Sequence, residues 1–456
     1  MTIHGHLAED EFGKKLAKVV SVAHPIRSIQ HLKGRDVFLD GIRQALYADG
    51  RHIFVFGDRG VGKSSLAATA AYQYQSSDAE PIFVSGSPDD TFNTIIANVA
   101  VQALGRSKIE STKQTSSRSM EFRTFKWSSD HEVSALDLAD QIKTVSDATE
   151  LLKQVAAKHS EKPTVVLDEF DTIPKKEDRQ RFASLLKQMG DQSINLKFFI
   201  TGIGQSCEEL LGAHQSAHRQ LSTFELPRLD WEARREIVTE AAGAFGLEVN
   251  SDVNWRIAMI SDGFPYYVHL IVEKMLWQAF GSPSECDTLS WQQFYDGLRV
   301  AIAETNAELR RPYEKAVLQR AAEYEDVVWS TADGEDLIRS TKDMLVSYKR
   351  IVQKREGRPV LESAKYSDMV RKLKQATHGA VLQQIPKRPG LYTYSEKMLR
   401  GYVRMQAEAN HVELSGETPA PRQKMSVGNS RTGAYGPSIP RGVDQNRVIG
   451  DEDEKS

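Results

Sequence analysis

One run of eight residues constrains this chain more than any other feature. Gly57-Asp58-Arg59-Gly60-Val61-Gly62-Lys63-Ser64 fits the spacing Gly-x4-Gly-Lys-Ser in full. Before it stands the apolar pentad His52–Phe56 (HIFVF), which reads as a buried strand. After it, residues Lys63 to Gln75 read as a helix. A strand, a glycine-rich loop and a helix start in succession make an anion site. The glycines let backbone N–H groups curl around oxygen atoms where Cβ atoms would obstruct. The helix adds the partial positive charge of its N-terminus. Lys63 is spaced to reach the β- and γ-phosphates of a nucleotide, and the Ser64 hydroxyl to ligate Mg2+.

A second pattern supports the first. Val165-Val166-Leu167-Asp168-Glu169 is an apolar strand ending in two acids, about a hundred residues downstream. Asp168 is the candidate second Mg2+ ligand, and Glu169 the candidate base that polarises water for attack on the γ-phosphate. Thr201 ends the next strand and is a candidate partner for that water or the γ-phosphate. Asp171, close by, reads as a loop acid or helix cap.

Between residues 52 and 226 strands alternate with helices, the signature of a parallel sheet covered on both faces. The expected class is α/β, a P-loop NTPase core over residues 25–227. An all-helical lid domain over 228–308 follows, then a winged helix-turn-helix over 309–408. The winged-helix reading rests on helices at Tyr313–Tyr324, Asp343–Lys354 and Tyr366–Thr377, then two short strands joined by PKRPG. Residues 1–24 read as a polar, frayed tail, 105–132 as an exposed insertion, 135–158 as one long helix, and 409–456 as disordered.

These motifs resemble those of the AAA+ and STAND branches of the P-loop ATPases, above all the prokaryotic origin-recognition-like ATPases. The residues that carry the resemblance are GDRGVGKSS, VVLDEFD, FFITGIG, LPRLDWEARREI and DGFPYYVHL. The resemblance implies ATP and Mg2+ as cofactors, with Gly57 to Ser65 holding the nucleotide. It implies that Gly34 and Arg35 touch the base, that Thr201 senses the γ-phosphate, and that Pro265 approaches the nucleotide. It implies that Arg219 completes a neighbour's site in an ATP-dependent homo-oligomer. The arginine that origin-type relatives carry in the helical domain has no convincing counterpart here, because Arg256 precedes Gly263-Phe264-Pro265. That departure favours a switch over a replication motor, with any effector on another chain.

Charge distribution bears on the partner. The net charge of the 456 residues is -3. Thr341 to Met405 carries 15 Lys and Arg against 5 Asp and Glu, so the remainder holds -13. A basic module on an acidic body suggests double-stranded DNA as partner. The candidate contacts are Lys365, Arg371, Lys372 and Lys374 near the third helix, and Lys387 and Arg388 at the wing tip. The competing reading is a nucleotide-gated signalling or defence switch whose C-terminal domain binds protein. No apolar run approaches the roughly 20 residues needed to cross a bilayer. The two cysteines, Cys207 and Cys286, have no metal-ligand spacing, which fits a cytoplasmic protein.

Overall fold

The computed structural model describes residues 7–104, 108–115, 121–128, 135–213, 217–282 and 286–414. The expected tail over 409–456 lies almost wholly outside them. Glu9–Val19 (α1) is helical, which corrects the reading of a frayed N-terminus. Phe12, Leu16 and Val20 recur every fourth residue and are buried. Phe12 packs 4.9 Å from Phe245, 4.7 Å from Trp277 and 4.3 Å from Phe280, measured between ring centres. Intervening acids and lysines had masked that stripe.

The core follows in the expected alternation. After α2 (Asp36–Leu46) come β1 (His52–Phe56), α3 (Lys63–Tyr74), β2 (Ile82–Ser85) and α4 (Phe92–Leu104). An antiparallel hairpin, β3 (Lys108–Thr115) and β4 (Glu121–Ser128), occupies the expected insertion. Next are α5 (Ala135–Gln141), α6 (Val145–His159), β5 (Thr164–Asp168), α7 (Lys176–Asp191) and β6 (Lys197–Gly202). Helices α8 (Gly204–Ala213) and α9 (Ala217–Gln220) lead to β7 (Leu221–Glu225). The long helix expected over 135–158 is two helices. Thr144 and Asp147 form a reciprocal capping box that starts α6 afresh.

Five strands form one parallel sheet in the order β2-β5-β6-β1-β7. Alternate residues of β1 face opposite sides, as a period of two requires. Ile53 and Val55 join one apolar core and Phe54 the other. Register aligns the carboxyl ends: Ser85 pairs with Asp168, Leu167 with Ile200, and Val55 with Thr201. The strand bearing Thr201 therefore lies between those bearing Asp168 and the glycine-rich loop. In open parallel sheets this carboxyl edge is where ligands bind.

Beyond β7 the chain is mostly helical. It comprises α10 (Trp231–Gly243), β8 (Glu248–Val249), α11 (Ser251–Ile260), α12 (Pro265–Phe280), β9 (Thr288–Leu289) and α13 (Trp291–Glu304). The two-residue strands β8 and β9 pair in parallel, so this region is not purely helical. Asp230, Asn250 and Ser290 cap α10, α11 and α13 with their side chains.

The described residues close with α14 (Ala307–Val317), α15 (Glu323–Ala332), β10 (Arg339–Ser340), α16 (Thr341–Gln353), α17 (Ser363–Lys372), β11 (Leu382–Gln384), β12 (Leu391–Tyr394) and α18 (Met398–Ala409). The helix expected at Tyr313–Tyr324 is thus the end of one helix and the start of another. Asn306 caps α14, and Gln319, at φ 59°, separates α14 from α15. The expected division at 308/309 falls inside α14. Strands β10, β12 and β11 form a small antiparallel sheet. The described residues pack as one compact unit, and the core on the β1 face runs continuously into α18. Among the described residues no helix is long and apolar enough to cross a membrane.

A buried acid lies where these parts meet. Asp262 is 3% exposed. It faces Arg228 at 2.7 Å, from the segment after β7, and Arg404 at 3.3 Å and Arg400 at 3.6 Å, both from α18. Burial pushes the Asp262 carboxyl up, yet the surrounding arginines outweigh burial and hold it below the ordinary range.

Candidate active site

The loop from Gly57 to Gly62 leaves β1 and turns into α3, with Gly62 left-handed at φ 96° where the helix begins. Lys63 donates from Nζ to the carbonyls of Gly57 (3.1 Å) and Asp58 (2.9 Å). Burial lowers its pKa, opposed by Asp171, Asp168, Asp58 and Glu169. Those acids keep a cation inside a partly buried site.

Asp168 Oδ1 is the centre of a short network. The Ser64 hydroxyl donates to it at 2.8 Å, and the Thr201 hydroxyl also donates to it. The Glu169 backbone N–H lies 3.1 Å from both Asp168 Oδ1 and Thr201 Oγ1. Glu169 adopts a left-handed φ of 54°, uncommon for a side chain of this kind. Its carboxyl is raised by burial, then by Asp168 and Asp171. A carboxylate shifted toward the working pH is a better base.

Ser64 Oγ and Asp168 Oδ1 are hard oxygen donors, spaced as neighbouring ligands of an octahedral ion with bonds of about 2.0–2.1 Å would be. Among the described residues no cluster of three His, Cys, Asp or Glu side chains could hold a metal. Mg2+ takes one or two protein oxygens and completes its shell with phosphate and water.

These groups line a cavity of about 660 Å3, a volume ordinary for a small-molecule site. Lys63, Ser64, Asp168, Glu169, Thr201 and Pro265 all face it. Arg59, Gly60, Val61, Gly62, Ser65 and Arg35 line it as well. Arg35 is held by structure: its guanidinium donates at 2.8 Å to the carbonyls of Val61 and Pro227, tying the loop to the segment after β7. Burial lowers its pKa to about 10. The Ser65 hydroxyl accepts from the Ile26 N–H at 3.1 Å, so it anchors the segment ahead of α2.

Other expected residues lie outside the lining. Gly57 shapes the loop, and the Asp58 carboxylate pairs with Lys397 at 2.6 Å. Gly34, at φ 65°, packs on α10, where a Cβ would meet that of Ala233 at 2.5 Å. Arg219 is exposed on α9. Gly60 has a packing duty: a Cβ there would meet the Met398 sulfur at 2.3 Å, so the start of α18 rests on the phosphate loop.

The basic residues divide. Lys365 lies 3.6 Å from Glu323, Arg371 3.7 Å from Asp368, and Lys372 2.8 Å from Asp368. Lys374 donates to Gln384 at 2.9 Å. Lys387 and Arg388 are exposed between β11 and β12. Much of the charge excess is internal: Arg350 pairs with Asp333, Arg355 with Asp326, and Arg400 and Arg404 are buried.

Sequence reasoning passed over several lining residues. Asp171 faces the cavity and not only the loop. The segment from Ser21 to Ile26, together with His269 and Glu396, lines it too. No local motif marks these positions, because tertiary folding brings them together. The spacing of His269 one turn after Pro265 was the available signal.

A strand, a glycine-rich loop turning into a helix, and a hydroxyl–carboxylate contact at the carboxyl edge of a parallel sheet have the arrangement of a P-loop NTPase core. Residues 31–200 match the model of the AAA ATPase domain family, and the chain is an ATPase by class. No curated protein matches the chain significantly. Among solved structures it is similar to the Walker-type ATPase of Pyrococcus abyssi, at 14% identity and TM-score 0.48, over 84% of this chain and 98% of that one. It is similar to the ORC2 protein of Aeropyrum pernix in its ADPNP–ADP complexes, at 13% identity and TM-score 0.45, over 86% and 98%. A third is the Thermotoga maritima RuvB Holliday junction branch migration motor, at 12% identity and TM-score 0.40, over 85% and 98%.

Proposed function

We propose that the protein is a Mg2+-dependent ATP-hydrolysing AAA+ protein that associates with duplex DNA through a C-terminal winged helix. The observation that carries the ATPase part is the contact of Ser64, Thr201 and Glu169 N–H with one carboxylate, Asp168. In this reading Lys63 and the loop N–H groups hold the phosphates. Ser64 and Asp168 hold the metal, which supplies charge neutralisation at the phosphates. Glu169 takes a proton from the attacking water while Thr201 orients it. Lys63→Ala is expected to weaken ATP binding at least about 100-fold, because it removes a charge-assisted bond from a partly buried site. Calorimetric titration with ATP checks this; unchanged affinity would remove the loop from the mechanism.

The DNA part draws on exposed cations. In this reading α15, α16 and α17 are the three helices, the turn between β11 and β12 is the wing, and Lys365, Arg371, Lys387 and Arg388 reach phosphates. Turnover is expected to rise with duplex DNA, and DNA affinity to fall about tenfold or more between 50 and 200 mM salt. Turnover indifferent to DNA at both salts would instead favour a nucleotide-gated switch with a protein partner. That second reading has its own support: Asp368 and Glu323 neutralise part of α17, and α18 touches the phosphate loop. Exposed Arg219 is the candidate group acting across a subunit boundary in an ATP-dependent oligomer. Two free, buried cysteines suit a cytoplasmic setting.

A further inference from the structure

Helix α12 brings a second polar group to the cavity. His269 stands one turn past Pro265, about 5.4 Å farther along the axis. It is 2% exposed and lines the cavity. Its Nδ1 faces the Ser21 backbone N–H at 3.5 Å, so that nitrogen accepts. Burial lowers the pKa of the ring to about 4, and nearby His31 adds to this, so the imidazole is neutral at pH 7. A neutral ring that accepts at Nδ1 carries its proton on Nε2. That Nε2 is buried and has no hydrogen-bond partner among the described residues. Buried donors are rarely left so.

The surroundings say what would satisfy it. Leu32, Leu229 and Ile237 line the same cavity with apolar side chains. Other polar groups near His269 are engaged, since His31 Nδ1 meets Glu240 at 2.9 Å and Lys33 meets Glu240 at 2.6 Å. Beside the cations and loop N–H groups suited to phosphate, the cavity therefore has apolar walls, the polar side chains of His24, His31 and Lys33, and the unpartnered N–H of His269. An adenine ring has apolar faces and an edge of nitrogen acceptors, and it fits that combination. We propose that His269 is a base-recognition residue whose Nε2–H donates to a ring nitrogen of bound adenine. This rests on the reading that the loop at Lys63 holds the phosphates of the same ATP.

Calorimetry on the full chain tests the proposal with three kinds of ligand: ATP, inorganic tripolyphosphate, and the 1-, 3- and 7-deaza analogues of ATP. His269→Phe keeps a planar aromatic ring and removes the donor. It is expected to weaken ATP about tenfold while leaving tripolyphosphate affinity unchanged. On the unaltered chain, the analogue lacking the accepting nitrogen is expected to bind about tenfold more weakly than ATP. His269→Phe should not distinguish that analogue from ATP. Three deaza analogues that all bind the unaltered chain like ATP would overturn the proposal, with no variant needed. Equal losses of ATP and tripolyphosphate in His269→Phe would also overturn it, marking a structural role. Failure of the unaltered chain to bind tripolyphosphate or ATP would instead strike the phosphate-loop reading beneath it.

Discussion

Glu169→Gln is expected to keep ATP and to lower its turnover about 10²–10⁴-fold, the usual contribution of a positioned base. The substitution is nearly isosteric and removes only the capacity to take a proton. The position is fixed from the backbone side, since the Glu169 N–H is held by Asp168 and Thr201 at 3.1 Å. Gln preserves those bonds, and the left-handed φ of 54° is a property of the turn and persists. The phosphate grip of Lys63 and Ser64 is untouched. Binding and hydrolysis should therefore separate: single-turnover hydrolysis with enzyme in excess slows, while calorimetric ATP affinity holds or tightens. Turnover at the original rate would show that another group, such as Asp171, which also lines the cavity, does the work.

Asp262→Asn is expected to cost about 3–5 kcal/mol, the usual effect of stripping one partner from a buried ion cluster. Asn fits the same space and tolerates the left-handed φ of 54° found there, so the variant changes charge and little else. Without the carboxylate, Arg228, Arg400 and Arg404 face one another with no buried acid between them. Burial already lowers the Arg400 pKa to about 10. The carbonyls of Ala332, Gly334 and Glu335 still accept from Arg400, which satisfies donors without cancelling charge. Urea unfolding monitored by tryptophan fluorescence should show a much lower midpoint. A midpoint within the range of ordinary surface substitutions would mean that water or local rearrangement compensates the arginines.

The core was legible in the sequence where chemistry and local structure coincide. The glycine loop, Ser64, Asp168 and Glu169 sit at strand ends whose apolar runs announce the strands, and Thr201 follows from the strand order. The N-terminal helix escaped because only Phe12 and Leu16, with Val20 just past its end, mark its buried stripe among mostly charged neighbours. The break at Thr144 escaped because a capping box of Thr and Asp resembles helix-surface composition. The end of the cavity around His269 escaped for a deeper reason. Ser21, Leu32, Leu229 and His269 are scattered over some 250 residues of chain and carry no shared pattern. The count of basic residues overstated the free positive surface. An ion pair such as Arg355 with Asp326, at 2.5 Å, joins residues 29 positions apart that a running tally treats as independent.

Met398 lies against Gly60, and Lys397 holds Asp58 at 2.6 Å. The last described helix therefore touches the glycine-rich loop between β1 and α3. Thermodynamic linkage makes such a contact two-way. If loading the loop alters how firmly α18 sits, then anything that grasps the C-terminal region alters ATP affinity by the same factor. A partner found by any route can thus be weighed by titrating nucleotide alone. A threefold change in ATP affinity on its addition fixes the threefold change that ATP works on the partner, without the partner's own binding being measured.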